Sequence, residues 1–157
     1  MTDQSTRKDV VVIGLGNELM SDEGIGVHII RRFSSKQEEF PDVEFIEAGS
    51  AGLNLLHLIA TRKKAIIIDC AKMGEKPGTI KRFTADQAQS VKQSGGYSLH
   101  EADILQVINL SKQLGECPAE VVFFGIEPET IKGGQNLSRV LSRKISDYAA
   151  EISKELI

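Results

Sequence analysis

Residues 9–27 read DVVVIGLGNELMSDEGIGV, and the rest of the fold is built outward from this stretch. Four consecutive β-branched apolar residues, Val10 to Ile13, close on Gly14 and Gly16. An unbroken apolar run bounded by turn residues reads as a strand buried on both faces, which is how a parallel sheet covered by helices looks in sequence. Beyond the loop, Ile25, Ile29, Ile30 and Phe33 recur at helical spacing with Arg31 and Arg32 turned outward, predicting a helix over 23–33.

The pattern repeats along the chain. VEFIEA at 43–48 reads as a second strand and GLNLLHLIA at 52–60 as a short apolar helix. AIIID at 65–69 is a second purely aliphatic run, hence a central strand, and it ends on a carboxylate. TIKRF at 79–83 alternates, as an edge strand or hairpin arm does. Helices are predicted over 99–114 and 136–156, the latter with Leu137, Leu141, Ile145, Tyr148, Ile152 and Leu156 on one stripe, and a strand over 120–126. Strands alternating with helices specify an α/β class: a three-layer α/β/α sandwich around a mostly parallel twisted sheet of about five strands, in a single domain spanning residues 1–157.

Composition narrows the function classes. The 157 residues carry 19 Lys and Arg against 22 Asp and Glu, a net charge of −3, so the dense cationic face a nucleic-acid binder needs is not in evidence. With 41% hydrophobic and 26% charged residues, the chain is of ordinary globular class. No apolar run approaches the ~20 residues that span a bilayer, and the opening MTDQSTRKD lacks an apolar leader, so a cytoplasmic address with no membrane partner is expected. Cys70 and Cys117 stand apart without CxxC spacing and are expected to be buried, reduced thiols.

Open α/β sheets bind ligands outside the carboxyl ends of their strands, so the residues just after each strand are the ones to question. The first loop is not a dinucleotide fingerprint: G-x-G-x-x-G needs glycine at 19, where the chain has Leu19, and the loop is acidic where a phosphate would sit. Glu23 stands in that loop; the plainer alternative makes Ser21 an N-cap with Asp22 and Glu23 in the first turn, favoured by the helix dipole. Asp69 ends the most apolar strand, where a carboxylate must be solvated, paired or metal-bound, or else caps the next loop. SLHE at 98–101 is a capping box that places His100 in a first helical turn, where the dipole disfavours imidazolium and leaves a lone pair for a metal; a surface histidine without a role is the alternative. His57 is expected to be packed or half exposed, and His28 to lie on a solvated face. Two carboxylates and a neutral imidazole at one sheet edge suit a borderline divalent ion with open positions for substrate or water. Adjacent strand residues point to opposite faces, so Cys70 and Asp69 do not converge as a nucleophilic pair.

VVIGLGNELMSDEGIGV, EAGSAGLNLL, IIIDC, SLHEADIL and VVFFGIEPE, in this order and over essentially the whole chain, resemble the hydrogenase maturation proteases. The resemblance implies an endopeptidase that removes the C-terminal extension from the nickel-loaded precursor of a nickel–iron hydrogenase large subunit. It implies nickel as the metal, carried in by the precursor, with Glu23, Asp69 and His100 as its ligands. Asp69 and Glu23 are then the catalytic candidates, and two roles for the ion stay open: polarising the scissile carbonyl, or anchoring the substrate while a carboxylate such as Asp69 serves as general base in the manner of an aspartyl protease. Where many members carry Asp-Gly-Gly-[ST], this chain reads Glu47-Ala48-Gly49-Ser50. Gly95-Gly96 predict an adjustable segment ahead of His100. Three rivals make different predictions: a metallohydrolase with resident zinc holds stoichiometric metal and cuts generic peptides, a nucleotide-binding module binds NAD or a nucleoside triphosphate tightly, and an assembly chaperone captures the precursor without cutting it.

Overall fold

The computed structural model describes residues 7–49, 54–88 and 101–157, the side chains of 101–103 excepted. Five strands, β1 (Val10–Leu15), β2 (Val43–Gly49), β3 (Lys64–Cys70), β4 (Ile80–Thr84) and β5 (Glu120–Ile126), form one sheet in the order β2-β1-β3-β5-β4. All neighbours run parallel except β4, which pairs antiparallel to β5 at the edge. The α/β architecture and its mostly parallel sheet are therefore as the aliphatic runs indicate, and the alternating TIKRF segment is the edge strand.

Strand alternation divides the core into two layers. Val12, Ile66, Ile68, Val122 and Phe124 pack on one face with Ile25, Ile29, Ile30 and Phe33 of α1 (Ile25–Ser34) and with Leu141, Tyr148 and Ile152 from the C-terminal segment. Val11, Ile13, Ala65, Ile67 and Phe123 pack on the other with Leu55 and Ile59 of α2 (Asn54–Ile59) and Ile104, Leu105, Val107 and Ile108 of α3 (Glu101–Gln113). Each buried aliphatic side chain of this kind contributes about 1.5–3 kcal/mol. Among the described residues no helix is long and apolar enough to cross a membrane.

The structure departs from the sequence pattern at four points. The first helix begins at Ile25, not Glu23, because residues Ser21–Gly24 form a separate 3-10 turn. Ser21 is not its cap: it adopts φ 52°, and its hydroxyl donates to the Lys132 carbonyl at 2.8 Å. The single C-terminal helix is instead α4 (Arg139–Ser142), α5 (Ile145–Ser153) and a 3-10 turn (Lys154–Leu156). It starts late because the Ser138 N–H is taken by Asp22, and it breaks where the Lys144 N–H donates three residues back to Leu141. That break seats Tyr148, whose hydroxyl donates to the Gly78 carbonyl at 2.6 Å. Cys117, expected to be buried, is half-buried, while Cys70 is buried as expected.

Candidate active site

The chain leaves β1 toward β2 on one side and returns to β3 on the other, so the crevice between the carboxyl ends of β1 and β3 is the point where strand order reverses. This is where open α/β sheets place their ligands. Gly16 stands there with φ 116°, its N–H donating to the Gly49 carbonyl at the end of β2. A Cβ on Gly16 would lie 1.9 Å from the Glu23 carbonyl oxygen and 3.6 Å from Asp69 Oδ1. The glycine is thus where the backbone of the Glu23 turn and the Asp69 carboxylate approach one another, from residues 46 apart in sequence.

Asp69 is only 2% exposed, shares the strand face of Ala65 and Ile67, and accepts the Cys70 N–H on Oδ1 at 2.8 Å. Helix α3 packs on that same face and runs into β5, so its first turn lies toward the carboxyl edge. His100 immediately precedes Glu101 in sequence but, with Ser98 and Gly95-Gly96, lies outside the described residues. Among the described residues no three His, Cys, Asp or Glu side chains are grouped to hold a metal ion.

Two buried acids were not singled out by the sequence. Asp22 is fully buried and accepts three backbone N–H groups, from Glu129 and Thr130 on Oδ2, both at 2.9 Å, and from Ser138 on Oδ1 at 2.7 Å. Glu127 accepts the N–H groups of Met73 and Glu75 on Oε1. A buried carboxylate compensated this way trades water for fixed N–H dipoles. Local pattern could not reveal these contacts, since the partners lie far along the chain.

Burial, with the negative charges of Asp69, Glu23, Asp22 and Glu127 around it, pushes the Cys70 thiol far above the ordinary cysteine range. A thiol so disfavoured as thiolate is a poor nucleophile. Beside these acids opens a cleft of about 320 Å³ lined by Gly16, Asn17, Glu18, Leu19, Glu47 and Gly49. Arg31 holds one wall, its guanidinium reaching Glu18 at 2.8 Å and Glu47 at 3.0 Å. His57 is exposed. His28, expected on a solvated face, is half-buried with Nε2 enclosed, and burial holds its pKa below the usual histidine value.

The family model for hydrogenase maturation protease matches residues 27–155. The chain is 30% identical over 149 residues to the hydrogenase expression/formation protein HoxM of Cupriavidus necator, an alignment covering 94% of this chain and 73% of that protein. A HupD protein of the same description from Rhodobacter capsulatus is 28% identical, covering 94% and 70%. Among solved structures, the hydrogenase maturating endopeptidase HybD from E. coli superposes with a TM-score of 0.78 at 26% identity, covering 94% of this chain and 91% of that one. HybD from Thermococcus kodakarensis, at 22% identity and a TM-score of 0.78, shares the fold.

Proposed function

The chain belongs to the hydrogenase maturation proteases, and on that premise we propose that it removes the C-terminal extension of a nickel-loaded large-subunit precursor of a nickel–iron hydrogenase. The observation that carries this reading is the convergence of the Glu23 turn and the Asp69 carboxylate on Gly16, at the strand-order reversal. Glu23, Asp69 and, from the residue preceding α3, His100 are the ligands assigned to the precursor's nickel, which is substrate rather than resident cofactor. Two oxygens and one nitrogen suit such an ion and leave positions for the ligands it brings with it. Holding the nickel fixes the precursor's C-terminal segment beside Asp69. Asp69 takes a proton from the attacking water as its oxygen adds to the scissile carbonyl, and returns that proton to the departing amine as the C–N bond breaks.

The cleft bounded by Glu18, Leu19 and Glu47 is continuous with this position through Gly16 and is assigned to the peptide flanking the cut. Glu47 is exposed and ion-paired with Arg31, a role compatible with contact to the precursor. The reading places the reaction away from nucleic acid and membrane. Mixing the purified chain with nickel-loaded precursor and weighing the products tests it: the expected result is loss of a single C-terminal peptide. An unchanged precursor mass refutes the reading, and cutting of unrelated peptides by protein holding stoichiometric zinc replaces it with the resident-metal alternative.

A further inference from the structure

Asp22 precedes Glu23 in the same 3-10 turn, yet the two acids are used differently: Asp22 is wholly buried, Glu23 half-buried. Around Asp22 the turn is fastened to the 129–138 segment on both sides. The Asp22 carboxylate accepts the Glu129, Thr130 and Ser138 N–H groups, and the Asp22 N–H donates back to the Thr130 carbonyl at 3.1 Å. Ser21 adds two bonds, N–H to the Gly134 carbonyl and Oγ to the Lys132 carbonyl, both 2.8 Å, while the Gly134 N–H donates to the Leu19 carbonyl. Glu23 then has little freedom, with its carbonyl seated on Gly16 and its N–H donating to Met20.

We propose that Asp22 is a positioning residue, whose clamp on residues 129, 130 and 138 sets Glu23 against Asp69 at the metal-holding edge. This rests on the function proposed above. The turn carries one of the three assigned ligands and β3 another, and the Asp22 carboxylate, with three bonds, makes the largest share of the side-chain contacts that tie the turn to the 129–138 segment. A group that orients a metal ligand typically changes affinity or rate by ~10–100-fold when altered.

The test is calorimetric titration of nickel chloride into the full chain, well below each variant's melting temperature, alongside the rate of precursor trimming. Asp22→Asn keeps the shape, removes the charge and turns an N–H₂ toward N–H donors, so nickel affinity and kcat/KM are expected to fall about tenfold or more. Combined with Glu23→Gln, the Asp22→Asn change should add no further loss of nickel affinity, because Asp22 acts through Glu23. A merely structural residue would lower the melting temperature and leave affinity intact, or give additive losses; either result overturns the proposal. Should Asp22→Asn not fold, Ser21→Gly removes the hydroxyl bond to the Lys132 carbonyl, a second tie between the same turn and the 129–138 segment, at a position whose φ already favours glycine, and a smaller loss of the same sign is expected. Wild-type affinity and rate in whichever variant is measured refute the positioning role while leaving the protease reading intact. A wild-type chain that neither binds nickel nor trims precursor sinks the protease reading and the clamp's role with it.

Discussion

At the scale of single residues, the proposed site rests on ionisable side chains, none of them an apolar core group. Glu23→Gln, Asp69→Asn and His100→Ala are each expected to abolish trimming of nickel-loaded precursor with a native circular dichroism spectrum, since none removes a core apolar group. Normal processing by one of them removes that residue from the site. Tyr148 does the opposite work. Its hydroxyl is buried against Gly78, and burial, with Asp22 and Asp147 nearby, pushes its pKa up to about 12. The unfolded tyrosine ionises near 10, so between pH 10 and about 12 the unfolded state has released the proton that the folded state still holds. Stability is therefore lost as pH rises through that window. Tyr148→Phe should cost about 1–3 kcal/mol at neutral pH by leaving the Gly78 carbonyl without its donor, and should flatten the decline above pH 10, both read from chemical denaturation. An equally steep decline in the variant would assign the alkaline loss to other groups.

At the scale of elements, the aliphatic runs at Val10 to Ile13 and Ala65 to Asp69 were legible as central strands because a strand buried on both faces has little choice of residue. Asp69 was legible for the same reason, as the one charge on such a run. The Ser21–Gly24 turn was not. A hydroxyl and two acids before a helix look like a cap, but the partners of Ser21 and Asp22 lie more than 100 residues away, and no local pattern encodes a bond of that span. The late start of α4 follows from the same long-range contact. His100 rests on the SLHE capping pattern and the family resemblance. The junction of β1 with the turn is the most exacting element: Gly16→Ala would combine a left-handed φ with a Cβ driven into the Glu23 carbonyl. The expected cost is about 4 kcal/mol, a fall in Tm of roughly 8–16 °C, together with loss of trimming in the fraction that folds. A Tm within a degree or two of wild type would show that the turn does not depend on this close approach.

At the scale of the whole molecule, parallel strand order creates the crevice, and the segments after β1, β3 and β5 supply its walls. Acidic residues collected there suit a cation delivered by a client, and the buried, poorly acidic Cys70 leaves them no thiol competitor. On the function proposed, nickel on the precursor is the condition for cutting. The most direct measurement is the mass of one large-subunit precursor, prepared with and without nickel, after incubation with the purified chain. Loss of the C-terminal peptide is expected only from the nickel-loaded form. Equal trimming of the nickel-free form, or none of the loaded form, would contradict the function proposed.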